Sequence, residues 1–277
     1  MPQGKSVKLI LVGAGKMGGA LLTGWCQRGV VEPQNIVVLD PQPSAEITAL
    51  VAKWGLTLNP DPAIEPAHMP SAVVIAVKPQ IIDSVLPNVS ALMGADTVCL
   101  SIAAGISLDH LEAQLGERTA IVRAMPNLPA SIGRGASAVV AGEHVTQPQS
   151  DLCHNLLEAV GDVFVLERET WMDAVTAVSG SGPAYVFLLI ECLAEAGIAA
   201  GLPEDLAQKL ALATVSGAGD LAHQSDKSPT DLRVSVTSPG GTTAAALEVL
   251  MGKGGLSPLL NKAVKAAAAR SKDLEAG

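Results

Sequence analysis

The sequence predicts an α/β fold: a parallel-sheet domain over residues 1–168, followed by an all-helical domain over 169–277. Three observations carry this. Short β-rich apolar runs alternate with helix patterns up to about residue 168. Beyond that point no strand pattern recurs, and Ala, Leu and Glu dominate. Aromatic residues make up 2% of the 277 against 48% hydrophobic, so Ala, Val, Leu and Ile must build the core. Such a core suits a buried parallel sheet under Ala-rich helices.

The elements follow in order. Val7–Val12 is an apolar run stopping at Gly13, and a helix pattern runs from Met17 to Arg28. Asn35–Leu39 is a second strand ending at Asp40; the next helix starts at Ser44, an N-cap residue, and reaches Trp54. Asn59–Pro70 is Pro-rich and reads as a surface connection. Ala72–Val77 is a strand, Pro79–Leu92 a helix and Thr97–Ile102 a strand. Ser107 caps a helix to Leu115, and Ala120–Ala124 is the next strand. Ala136–Ala141 and Asp162–Leu166 are two further strands around a helix at Asp151–Val160. Helices are then expected at Thr170–Ser179, Ala184–Ala200, Pro203–Gln224, Thr242–Gly252 and Ser257–Leu274, with Pro203 and Pro258 as first helical residues. Ala184–Ala200 is the longest apolar run. It carries Glu191 and Glu195 and falls short of the ~20 residues of a membrane span, so it reads as a buried helix.

The formal net charge of −9 argues against nucleic acid as a partner, and no Lys/Arg cluster marks a membrane surface. Cys26, Cys99, Cys153 and Cys192 are scattered, with no CxxC pair, and read as small core residues in a reducing compartment. Lys5 and Lys8 lead directly into a strand instead of a signal peptide. A cytoplasmic location is the expectation.

Gly13-Ala14-Gly15-Lys16-Met17-Gly18 fits G-x-G-x-x-G, after a strand and at the start of a helix. In that context the first glycine makes a tight turn, the second lets a pyrophosphate reach the backbone, and the third lets helix and strand pack closely. The helix start offers N–H groups and partial positive charge to the anion. Asp40 ends the second strand, 22 residues after Gly18. It suits an adenosine ribose 2′-hydroxyl, or is a solvated turn aspartate before Pro41. Ala76-Val77-Lys78-Pro79 ends the third strand on the same edge; Lys78 is either a cofactor contact or a surface lysine at a helix start. Ser101-Ile102-Ala103-Ala104-Gly105 closes the next strand with small residues, which would let a nicotinamide ring lie close or simply pack tightly. Ser238-Pro239-Gly240-Gly241-Thr242-Thr243 opens a helix with small residues and hydroxyls. It is a second anion site fit for a small carboxylate, or a capped helix start.

Together with Arg123-Ala124-Met125-Pro126-Asn127-Leu128-Pro129 and Ser179-Gly180-Ser181-Gly182-Pro183-Ala184-Tyr185, these segments resemble the pyrroline-5-carboxylate reductase family over nearly the whole chain. Val236–Thr243 is the most specific of them. The resemblance implies a Rossmann domain followed by a helical dimerisation domain, and NAD(P)H-dependent reduction of 1-pyrroline-5-carboxylate to L-proline. It assigns cofactor contacts to Val12–Met17, to Lys78 and its neighbours, and to Ile102–Ala104. It gives Thr243 the contact to the substrate ring nitrogen and Ser238, Gly241 and Thr242 the carboxylate. Glu169 falls where the family can have a substrate-site acid, or is a solvated helix-start residue. Asp40 stands where many members have Ser or Asn. The family says NADPH and Asp40 pulls toward NADH, so both stay open.

None of the five histidines lies in a motif. A hydroxyacid dehydrogenase needs a group to exchange the alcohol proton, whereas a cyclic imine can arrive protonated. That disfavours a related β-hydroxyacid dehydrogenase; another imine reductase and a non-catalytic dinucleotide sensor are the further alternatives. Tyr185–Cys192 is apolar on almost every face and too much for five helices to cover, which predicts a partner subunit. The resemblance adds a homodimer that associates further, often into a decamer.

Overall fold

The structure, a computed structural model, describes residues 8–60 and 69–276. Val7, His68 and the middle of the expected Asn59–Pro70 connection lie outside the described residues. Among the described residues eight strands are formed: β1 Leu9–Val12, β2 Ile36–Leu39, β3 Thr57–Leu58, β4 Ala72–Ile75, β5 Val98–Ser101, β6 Ala120–Met125, β7 Gly135–Ala141 and β8 Gly161–Val165. They make one sheet in the order β3-β2-β1-β4-β5-β6-β7-β8. All neighbours pair in parallel except β6 with β7. The link from Met125 to Gly135 holds only a 3₁₀ turn at Leu128–Ile132, too short for a parallel crossover. The expectation of a parallel sheet is corrected at that one step.

Side chains alternate across the strands and feed two cores. Leu9, Leu11, Val74 and Leu100 face one side with Leu21, Leu22, Trp25 and Leu156. Ile10, Val12, Val73 and Ile75 face the other with Ile82, Leu86 and Leu111. The helices of the first side are α1 Lys16–Arg28, α2 Ala45–Trp54 and α5 Gln147–Glu158; those of the second are α3 Ile82–Ser90 and α4 Leu108–Leu115. Trp25 is fully buried, and its indole N–H donates to the Leu156 carbonyl at 2.7 Å, tying α1 to α5. Ser44 and Ser107 cap α2 and α4 as expected, accepting from Ile47 N and His110 N. At one sheet edge β3 is two residues long. At the other, β8 exposes Phe164 and Val165.

The chain forms two compact units: one reaches Gly180 and takes in the chain again from Ala268, and the other spans Ser181–Ala267. The boundary expected at 168 marks the end of strand material. Residues 169–180 stay with the sheet unit through buried Met172 and Ala177. They form a 3₁₀ turn at Glu169–Trp171, α6 at Met172–Val175 and a π turn at Thr176–Gly180 instead of the single helix expected.

The remaining helices are α7 Gly182–Ala199, α8 Glu204–Gln224, α9 Pro229–Ser235, α10 Thr242–Leu250 and α11 Leu256–Ala276. Small residues let α7 and α8 approach: Ala194, Ala207 and Ala211 are buried between flanks of larger ones. Two placements of proline need correction. Pro203 caps α8 from outside, and Pro258 sits in the first turn of α11 but not at its first position. Proline fits both places because the first-turn N–H has no partner in the helix.

Among the described residues of α7 only Ala194 is buried; Val186, Phe187, Leu188, Leu189 and Leu193 are 42–57% exposed. The buried helix expected here is therefore not buried by its own chain. Cys192 on the same helix is exposed, unlike Cys26, Cys99 and Cys153.

Candidate cofactor and substrate sites

Strand register assembles the first site. Val12 lies opposite Leu39 and Ile75, and Ile75 opposite Ser101, so four strands end in line. The ladder then continues one residue further. Gly13 N donates to Leu39 O at 2.8 Å, Ala76 N to Val12 O at 2.8 Å and Ile102 N to Ile75 O at 3.0 Å. Val12–Gly18, Asp40, Ala76–Pro79 and Ile102–Ala104 thus share the carboxyl edge of the sheet, where open α/β sheets take their ligands.

The three glycines of the loop differ in what they require. Gly13 has φ +87°, and a Cβ there would stand 2.8 Å from Val77 Cγ1 and 2.9 Å from Ala76 O. A Cβ on Gly18 would meet Gly13 O at 2.3 Å. Both are demanded by the chain itself. Gly15 is different: its φ is −68°, open to any residue, and nothing lies within 4 Å of the Cβ position. Gly15 caps α1 with no side-chain hydrogen bond, and the first turn holds no acid. Open space over an uncapped helix start fits a pyrophosphate. The residues present fit a dinucleotide.

Ala14 is buried, Met17 half-buried, and Gly15 and Lys16 are exposed. Lys78 is exposed and caps a 3₁₀ turn at Pro79–Ile81. Ile102 and Ala103 are buried and Ala104 is exposed. Asp40 is half-buried. Its Oδ2 accepts from Ala14 N at 2.8 Å and its Oδ1 from Gln42 N at 2.9 Å, so it reaches the glycine loop and is not a free turn residue.

The second group lies in the helical unit. Gly240 has φ +70°, and Gly241 caps α10 with no side-chain hydrogen bond and no acid in the first turn. Ser238 and Thr242 are exposed and Thr243 is half-buried.

Glu169 is already bonded within the sheet unit. Its Oε1 accepts from Arg123 Nη1 at 2.5 Å and from Leu108 N at 2.8 Å, and Arg123 is 3% exposed. One oxygen therefore joins β6, the start of α4 and the chain after β8. A buried guanidinium needs such a partner, and Glu169 supplies it.

Two residues gain roles that sequence reasoning did not give them. Asn127 Oδ1 accepts from Ala136 N at 2.8 Å, and its Nδ2 donates to Ser179 O at 3.0 Å, joining two of the motifs. Asn59 brackets Asp40: its Oδ1 accepts from Asp40 N at 2.8 Å and its Nδ2 donates to Asp40 O at 2.6 Å. The only signal for Asn59 was the Asn-Pro pair, a turn marker.

A cavity of about 1760 Å³ opens among Lys8, Ser71, Thr97 and Thr119, at the opposite edge of the sheet, and contains no motif residue.

Two family models match the chain. One describes NADP oxidoreductases, coenzyme F420-dependent, over residues 8–105. The other describes pyrroline-5-carboxylate reductase dimerisation over residues 169–274. A pyrroline-5-carboxylate reductase of Synechocystis is 40% identical, covering 97% of this chain and 98% of its own length. The solved structure of one from Coxiella burnetii superposes with a TM-score of 0.89 at 34% identity, covering 98% of this chain and 99% of its own. That of Plasmodium falciparum, with NADP bound, gives 0.82 at 30% identity over 98% and 100%.

Proposed function

The chain belongs to the pyrroline-5-carboxylate reductase family, and from that premise we propose how its own residues perform the reaction. It is an NAD(P)H-dependent oxidoreductase that reduces the C=N bond of 1-pyrroline-5-carboxylate to give L-proline, the last step of proline biosynthesis. The hydroxyacid-dehydrogenase and sensor alternatives have nothing comparable behind them.

One observation supports the site assignment above all. The helices that open from the two glycine-rich loops, α1 and α10, both start without a side-chain cap or a first-turn acid. Their N–H groups are available to two anions, one on each ligand. Val12–Gly18, Asp40, Ala76–Pro79 and Ile102–Ala104 hold the dinucleotide. Ser238, Gly241 and Thr242 take the substrate carboxylate on α10. Bound NAD(P)H supplies the hydride that adds to the imine carbon.

The Thr243 hydroxyl takes the ring nitrogen, orients it and keeps its proton in place, so that the nitrogen ends as an amine. No histidine is required, because the imine arrives protonated. The protein contributes mainly position: fixing the imine carbon relative to the hydride donor converts a two-body encounter into a one-body step. Glu169 is left out of the substrate set, since its bonds to Arg123 and Leu108 give it a bracing role.

Dimerisation belongs to the family model for residues 169–274. The exposed face of α7 is where a second copy packs, and further association into a decamer is the larger assembly we propose. A cytoplasmic location agrees with the four free cysteines.

The test is steady-state oxidation of NADPH and NADH with pyrroline-5-carboxylate. Thr243→Ala lowers kcat by about a hundredfold, and Thr243→Ser restores most of it. No turnover with either cofactor would sink the reading.

A further inference from the structure

Every polar group of Asp40 is committed. Its N–H and C=O are bracketed by the one amide of Asn59, and its two carboxylate oxygens accept from Gln42 N and Ala14 N. Asn59 does this because of where it stands. It is the first residue past β3, and its N–H donates to Val38 O at 2.8 Å, extending the sheet by one residue. Its φ is +44°, the left-handed conformation that Asn tolerates best after Gly. That turn swings the side chain back onto Asp40. The carboxylate is thereby fixed beside the loop that Gly15 leaves open, and it keeps lone pairs to accept from a hydroxyl.

We propose that Asp40 and Asn59 together choose the dinucleotide, with Asn59 as the positioning residue, and that the pair favours NADH over NADPH. A ribose 2′-hydroxyl donates a hydrogen bond to the fixed carboxylate. A 2′-phosphate has no hydroxyl to offer there and brings like charge to a carboxylate that cannot swing away. Without Asn59 the end of β2 is free to turn, and the carboxylate can retreat from the phosphate. The inference rests on Gly13–Gly18 being the dinucleotide site.

The experiment is direct binding to the full-length protein without substrate, titrating NADH and NADPH by their own fluorescence, with Tm measured for each variant. The wild type binds NADH at least tenfold tighter. Asp40→Ser brings the Kd ratio to unity or reverses it. Asn59→Gly keeps the left-handed turn without strain and holds Tm. It lowers the ratio at least threefold. Failure of the wild type to bind either nucleotide overturns the site itself. Binding with a preference for NADPH overturns the selection. A ratio that moves in Asp40→Ser but not in Asn59→Gly overturns the role of Asn59 alone.

Discussion

Adding one methyl group at Gly15 or at Gly18 separates a ligand requirement from a folding requirement. At Gly18 the new carbon would stand 2.3 Å from the Gly13 carbonyl oxygen, a backbone atom that has to move by most of an ångström. Overpacking of this kind costs up to about 3 kcal/mol, and the better helix propensity of Ala returns about 1. The net loss is about 2 kcal/mol, which in a unit of this size lowers Tm by roughly 4–8 °C. At Gly15 the carbon enters empty space at a permitted φ, so only the weaker capping of Ala counts. That is about 0.5–1 kcal/mol, or roughly 1–4 °C. The order reverses for the ligand. Gly15→Ala puts its methyl where the pyrophosphate is proposed to lie, and a tenfold loss of dinucleotide affinity corresponds to about 1.4 kcal/mol. Thermal melts and fluorescence titration with NADH and NADPH check both halves. Gly15→Ala binding both nucleotides as tightly as the wild type would falsify the assignment of the open space to a ligand.

Three further outcomes are expected. Glu169→Gln weakens the charge partner of buried Arg123 and lowers urea stability by about 3 kcal/mol while leaving the KM for the imine unchanged. A large rise in KM with stability intact would return Glu169 to the substrate site. Burial pushes the Cys153 thiol from 9.0 up to about 12, and burial first and Cys153 second push Cys99 up as well. Above pH 9 the unfolded chain releases thiol protons that the folded chain keeps, so stability falls as pH rises. The urea-stability difference between wild type and Cys153→Ala should shrink by about 1.4 kcal/mol per pH unit between pH 9 and 11. A difference that stays flat across that range refutes this. Leu188→Glu, on the exposed face of α7, dissociates the assembly to monomers in sedimentation velocity at micromolar concentration; an unaltered sedimentation coefficient would remove α7 from the interface.

How far the sequence disclosed the molecule depended on how local each signal was. β1, β4, β5 and β6 are buried runs and β2 a half-buried one, all bounded by turn residues, and each lay within a residue or two of its expected span. The glycine loop was legible because all its determinants are adjacent. β3 has two residues and shows no periodicity at all. α9 has seven and was missed despite its Ser228 cap. The antiparallel step from β6 to β7 depends on the length of a connection and not on the strands themselves. The bonds of Glu169 and Asn59 span 61, 46 and 19 residues of chain, and only the fold brings those partners together. The motifs identified the chemistry, whereas the braces behind them left no mark that a single sequence could show.

The two ends of the sheet are unequal, and that bears on how the protein goes wrong. The β3 end is two residues long, which leaves little backbone for a stray strand to pair with. The β8 end runs for five residues, with Phe164 and Val165 more than half exposed and Asp162 its one charge. Accretion of copies in a stressed or overexpressed population therefore has one direction open to it. A single added lysine in place of Val165 would be the economical place to close it.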